Sequence, residues 1–436
     1  MSATADLLAF AGADHHLPDN VRTDALRLLG DTLAVGAAGA TAPGAEAILT
    51  AARAMGSGQD ARLIGSPKSS GERLPAPGAA FVNGYRIHCL EWDAVHEPAV
   101  VHALSTVTAA LGAAIDRRIR TNGGCDGEQA LVALAVGVDI ASGLGLAADS
   151  PLSFFRPATA GLIGAALAVA RIDGTPLEQV LGLAYSSAAG TMQAHVEGSI
   201  ALPFQIANAA RAAITASDLA KAGFTGPLDP LEGQFGYFRL FDSGDLSRYT
   251  AQLGQVWRIG EVSTKPFPSG RASHCALGVL ADWALDSAAV ERIELFAPPL
   301  IHRLVGRAMQ ADMTPAYARL CLPFLAALML RDGAIDPRRF TAESFADPEL
   351  AKLAARVSMS IDANPDGNAL SPQVVRAVLK DGKVIERQVA ATLGSPAAPL
   401  NEMQVAAKLA LARALVPAHA DPRIFTDPLT YFTDPT

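Results

Sequence analysis

Apolar residues follow two different rhythms along this chain. Through roughly the first 260 residues they recur at helical spacing, three to four positions apart. Ala25, Leu26, Leu28, Leu29, Leu33 and Val35 predict a helix over Val21–Ala38. The entry Leu17-Pro18-Asp19-Asn20 supplies its cap. The Gly and Pro of GATAPGAEA end that helix, and Ala45–Met55 forms the next. Gly56–Pro77, rich in Gly, Ser, Pro and charge, reads as a surface connection. A helix then begins at Gly78–Asn83, and the Ala/Leu/Val/Thr run after His102 reads as a buried one. A polar loop follows Ile115, with its turn at Gly123-Gly124. Further helices are expected over Glu128–Leu146, Ala158–Ala170, Gln179–Met192 and Pro203–Ala222, the last closed by Gly223. Thr225–Phe241 is a loop rich in Gly, Pro and aromatics; it either covers a site or interface or tucks its rings into a groove.

Around Ser263 the rhythm changes to period two. Val290–Phe296 and Ala355–Asp362 alternate as strands do, and Gln373–Thr392 reads as a hairpin turning at Asp381-Gly382. Ala318–Leu330 reads as a buried helix between them, and Asn401–Leu415 returns to the Ala/Leu composition of the first half. The fold class is therefore mainly α. A large all-helical domain is expected over residues 1–261 and a smaller α/β domain over 262–395. Residues 396–436 form a segment docking back on the helices.

Composition narrows the picture. Half of the 436 residues are hydrophobic and 6% aromatic, which favours closely packed small-residue helices. A net charge of −8 leaves no basic footprint for nucleic acid. The four cysteines are scattered without a CxxC pair, which argues against a disulfide framework or a thiolate zinc site. Gly143-Leu144-Gly145 lacks a preceding strand and a third glycine, so dinucleotide binding is not expected. The apolar runs Pro98–Ile115 and Gln179–Val196 carry His102, Gln193 and His195, so they read as buried helices rather than membrane spans. With no signal-peptide pattern at its start, the chain is expected to be cytoplasmic.

The chemistry concentrates between Asn83 and Ala114. That stretch holds three of the nine histidines (His88, His96, His102) and three carboxylates (Glu91, Asp93, Glu97) in an apolar neighbourhood. Titratable groups at the edge of a core have pKa values open to tuning by burial and by one another. Any one of these histidines read alone is a satisfied core or surface residue; the cluster together reads as a site.

Five separated segments carry a resemblance: FVNGYRIHCLEWDAVH, VHALSTVTAALGAA, FFRPATAGLIGAALAVARIDG, GFTGPLDPLEGQFGYFRLF and STKPFPSGRASH. In this order the chain resembles the MmgE/PrpD family of 2-methylcitrate dehydratases, whose relatives include cis-aconitate decarboxylase and iminodisuccinate epimerase. The resemblance implies that the α/β domain is a lid, that the protein is a homodimer, and that no cofactor or metal is required. It implies a hydro-lyase acting on a small hydroxy-polycarboxylate, with an epimerase or decarboxylase on the same scaffold as the alternative. A catalytically silent metabolite-binding paralogue is the reading from another class.

Site residues carry over position by position. His102 matches the family's histidine at the start of the buried helix and is the expected general base or acid. Glu91 and Asp93 keep the acidic character of the motif, which here reads Glu91-Trp92-Asp93-Ala94-Val95, without its third Asp and hydroxyl. Lys265, before Pro266-Phe267-Pro268, and His274 after that turn match the lid's lysine and histidine, and His274 is the expected second acid/base. His96, Arg156, Tyr317 and Arg319 are the expected substrate contacts. Arg156 stands where many relatives have histidine, Ala201-Leu202 replaces a Thr-Lys pair, and Gln205 replaces a further histidine. Those departures move the positive charge and point to a substrate other than methylcitrate.

Overall fold

The computed structural model describes residues 2–68, 71–122, 124–366 and 369–435. Five long helices form the heart of the first half: Ala76–His88, Ala103–Asn122, Gly127–Ala147, Arg156–Asp173 and Ala201–Lys221. Their small residues let backbones touch. A methyl on Gly164 would lie 2.2 Å from the Gly137 carbonyl oxygen, and one on Gly84 only 3.0 Å from Ala207 Cα. The Gly143–Gly145 pair serves the same end, since added methyls there would meet the ring of Tyr249 and the backbone of Ala99. Gly127–Ala147 is long and apolar enough to cross a membrane, but 94% of that window is buried among its neighbours.

The second core belongs to the α/β part. Strands Val357–Ile361, Val290–Ala297, Gln373–Leu379 and Val384–Val389 lie side by side in that order. The first pair is parallel and the other two pairs are antiparallel. The hairpin turns where its sequence predicts, with Gly382 left-handed at φ 85°. Helices His274–Trp283 and Leu322–Asp332 bury Leu277, Leu280, Phe324 and Leu328 in the core shared with the sheet. The C-terminal helix Glu402–Leu415, opened by an Asn401/Gln404 capping box, packs on Asp19–Ala38 of the helical half.

Several boundaries move. The expected loop after Ile115 is helical through Asn122, and Gly123 lies outside the described residues. The helix expected over Gln179–Met192 occupies Leu177–Ser186 instead, followed by a separate turn of helix at Gln193–Glu197. The lid helix starts at Leu322, not Ala318, because Pro323 suits the first turn and the chain is extended at Cys321. Two-residue strands Ala61–Arg62 and Arg73–Leu74 lie inside the expected surface connection. In the Thr225–Phe241 loop, Tyr237 and Phe238 are buried while Phe235 remains 68% exposed.

Candidate active site

The helix Ala76–His88 ends at the focal stretch, and the next long helix begins at Ala103. Between them the chain makes two turns that need left-handed backbone at residues with side chains: Glu91 at φ 53° and Val100 at φ 52°. Such conformations cost on the order of 1–3 kcal/mol each and persist only where surrounding contacts impose them. Both residues line one cavity of about 80 Å³, together with His88, His102, Phe155 and His195. A second cavity of about 10 Å³ shares His88 and Glu91 and is walled by Arg319 of the lid. The site thus sits in the seam between the two cores. A larger cleft of about 450 Å³, lined by Arg27, Asp31 and Lys408, lies elsewhere and includes none of the clustered histidines.

Asp93, fully buried, is the hub. Its carboxylate lies 2.9 Å from His88 Nδ1 and 3.0 Å from His102 Nδ1, and it accepts a hydrogen bond from the Ser105 hydroxyl. Glu91 takes the other side. Its Oε1 is 3.2 Å from His88 Nε2, and its Oε2 is 3.2 Å from Lys265 Nζ. The same ammonium donates to the Glu91 backbone carbonyl at 2.9 Å, which helps to hold the left-handed turn. The two carboxylates therefore divide the work, Asp93 facing His102 and Glu91 facing Lys265.

The electrostatics separate the two imidazoles. Burial disfavours the His88 imidazolium, but the charges of Asp93 and Glu91 overcome it and raise the group to about 10. His102 moves the other way: burial dominates, Asp93 only partly offsets it, and Lys265 adds repulsion, leaving it below its ordinary value. Burial pushes the carboxyls of Glu91 and Asp93 up, yet the neighbouring histidines, with Lys265 for Glu91, hold both below the usual carboxylate range. At neutral pH His88 is a cation between two anions. Beside it, 4.8 Å between ring centroids, His102 is a neutral base. With Nδ1 next to Asp93, the His102 proton belongs on that nitrogen, leaving Nε2 as the acceptor.

Ligand atoms of His88, Glu91 and His102 lie within 4.8 Å of one another, a spacing a metal ion could bridge. The Lys265 ammonium on Glu91 opposes a second cation there, so the arrangement suits ion pairing better than metal binding.

The remaining expected residues divide sharply. Arg319 is buried at the wall of the smaller cavity, and its guanidinium forms no hydrogen bond or ion pair among the described residues; it stacks 5.1 Å from the Phe340 ring centre. Arg156, expected to bind substrate, lines the same cavity as His102, but its guanidinium is already engaged. It makes a buried pair with Asp242 at 3.0 Å and donates to the Ala99 and Ser150 carbonyls. His274, expected as an acid/base, does not line the cavity. It is fully buried against Ser269 at 3.1 Å, with Arg271 3.4 Å away, and burial followed by the Arg271 charge holds it well below its ordinary pKa. His96 turns to Glu261 at 3.0 Å and accepts from the Ala99 amide. Tyr317 donates to the Ala308 carbonyl at 2.9 Å under the Arg307 guanidinium, outside the cavity lining.

Sequence reasoning named His88 only as part of the cluster, although it is the cation at the site's centre. It missed His195, Arg271 and Arg307. Arg271 lines the cavity paired with Glu97 at 2.7 Å. Arg307 donates to the His195 carbonyl at 2.9 Å, while its buried Nη1 has no hydrogen-bond partner among the described residues. Burial, then the Arg307 charge, lowers His195 to about 4. Arg271 lies inside the STKPFPSGRASH segment but was not singled out there, and no motif marks His195 or Arg307; only the closeness of the lid brings them in.

Related sequences span most of the chain. The chain is 29% identical over 406 residues to cis-aconitate decarboxylase of Homo sapiens, covering 86% of this chain and 80% of that protein. The Mus musculus decarboxylase is 25% identical over 426 residues, covering 90% and 84%. That of Aspergillus terreus is 25% identical over 421 residues, covering 88% and 83%. The MmgE/PrpD N-terminal domain matches residues 10–249 and the MmgE/PrpD C-terminal domain matches residues 267–424. The seam that holds the clustered histidines is the seam between those two domains, and the chain belongs to the MmgE/PrpD family.

Proposed function

We propose that this protein is a lyase that works at a carbon next to a carboxylate of a small polycarboxylate. The observation that carries the reading is the neutral His102, oriented by Asp93, beside cationic His88, which lines a second cavity together with the unpaired guanidinium of Arg319. Arg319 holds a substrate carboxylate, Lys265 adds positive charge through its pair with Glu91, and the charge that develops on the reacting carbon is met by fixed cations beside a small cavity.

Loss of CO2 is the preferred outcome. The relatives reported above are decarboxylases, and one wall of the cavity is apolar, with Leu152, Phe155, Met192 and Leu304. A carboxylate pressed against such a wall loses solvation that neutral CO2 does not need. The electron pair of the breaking C–C bond stays on carbon, which takes a proton from an imidazolium, so each turnover consumes one proton. Dehydration is the second reading, favoured by the acid His88 standing next to the base His102. There His102 takes the proton from carbon and His88 protonates the departing hydroxyl, with no net proton change. Exposed Phe224, Leu228 and Phe235 support association as a homodimer.

The test is NMR in D2O with a panel of small di- and tricarboxylates, run alongside a pH-stat. Deuterium entering next to a carboxylate with CO2 release and proton uptake supports the decarboxylase. An unsaturated product with its carbon count retained and no proton uptake replaces it by the hydro-lyase. If no compound exchanges or turns over, the lyase reading is wrong.

A further inference from the structure

We infer that the substrate is a compact dicarboxylate of four or five carbons, and that the site selects against tricarboxylates. The inference rests on the carboxylate-lyase reading and deepens it. Two independent observations carry it: the balance of charge around the cavities and their size.

Most charges at the seam already have partners. Arg156 is cancelled by Asp242, Arg271 by Glu97, and Lys265 by Glu91. The His88 imidazolium is matched by Asp93, while His102 and His195 are held neutral by burial. Arg319 and Arg307 remain. Neither has an anionic partner among the described residues, although each feels the distant charge of Glu91. A guanidinium cannot shed its charge, so one buried guanidinium on the wall of the smaller cavity and one half-buried guanidinium beside His195 wait for an anion. A dianion completes that balance. A trianion adds a negative charge with no cation left, because Arg156 is held in place by four hydrogen-bonded oxygens.

Size agrees. One water needs about 10–15 Å³ of such space, so the main cavity takes roughly five to eight water-sized groups. A four-carbon dicarboxylate has about eight non-hydrogen atoms and a six-carbon tricarboxylate about twelve, so only the smaller one matches without the lid withdrawing.

Calorimetry on the full chain compares maleate, citraconate, fumarate and succinate with cis-aconitate, citrate and tricarballylate. The expected result is that the best dicarboxylate binds at least about tenfold tighter than the best tricarboxylate. Asp242→Asn, which frees Arg156 and adds one positive charge, should narrow that ratio or reverse it. If a tricarboxylate binds the wild type more tightly than every dicarboxylate, the inference falls and the carboxylate site stands. If nothing in either class binds, the lyase reading falls and takes the inference with it. Should Asp242→Asn fail to fold, the wild-type ratio decides alone.

Discussion

Asp93 bears the most weight, and replacing it by Asn tests the electrostatic account of the site directly. The substitution keeps the shape but removes the anion facing His88, His102 and Ser105. Breaking a buried pair by deleting one partner costs about 3–5 kcal/mol, and Glu91 still faces His88, so the lower end applies. For a helical domain of roughly 260 residues, 1 kcal/mol is worth about 2 °C, which gives a Tm lowered by about 6 °C. The pH dependence carries the sharper signature. His88 is raised to about 10, above its unfolded value, so its stabilisation is complete below about pH 6.5 and is lost as pH rises through 10. Asp93 is depressed, so its share is present above its unfolded value near 4 and lost as pH falls through the folded one. The gap between wild type and variant should therefore be widest between about pH 4 and 6.5 and close towards pH 10. Scanning calorimetry across that range measures it, and imidazole 15N NMR follows His88 itself. A variant that keeps its Tm, with His88 still protonated at pH 8, would refute the assignment of Asp93 as the counter-ion.

The same geometry makes further predictions. Under dehydration, turnover should rise with pH along an acid limb lying below 6.5, because His102 must be neutral to act as base; under either reaction it should fall near pH 10 as His88 loses the proton it donates. His102→Gln should erase the acid limb along with the activity; a surviving limb at the same pH would assign it to another group. Lys408→Met should lower kcat about tenfold or more with little change in KM, since Lys408 touches the back of the Glu91–Asp93 turn and not the cavity. Equal losses in kcat and thermal stability restored together by Lys408→Arg would fit positioning; unchanged kcat would refute it.

The fold class was legible because it is written in local periodicity. The helical run after His102 and the Asp381-Gly382 hairpin need only their own neighbours to be recognised. The cluster of His88, Glu91, Asp93 and His102 was visible for the same reason, lying within one turn-rich connection. Pairings across the chain were not. Arg156 meets an aspartate 86 residues away, and Arg271 and Lys265 each meet a glutamate 174 residues away. Residue type alone makes Arg156 and Arg319 equal candidates for a substrate carboxylate; only the partner distinguishes the spent cation from the free one. Tyr317 and His274 fall outside the cavity lining for a related reason: they sit beside site residues in sequence, while their side chains bond within the lid's own turns.

Trp92 explains why the C-terminal segment returns to the helical half. Its indole donates to the Pro266 carbonyl at 3.2 Å, next to Lys265 in the lid turn. Its own carbonyl accepts from Lys408 at 3.3 Å, and Lys408 is anchored by Asp31 at 2.5 Å. Three segments far apart in sequence thus converge on the one residue between the two carboxylates. Burial lowers the Lys408 ammonium, and Asp31 opposes that loss of charge, so the anchor holds only while both are in place. A shift of the C-terminal helix would move the peptide between Glu91 and Asp93, and with it the distance from Lys265 to Glu91 and from Asp93 to His102. Misplacement of about 1 Å at such a site costs on the order of a hundredfold in rate. The lid turn, the terminal helix and the acidic motif therefore act as one positioning unit, and a substitution in any of them should register at His102.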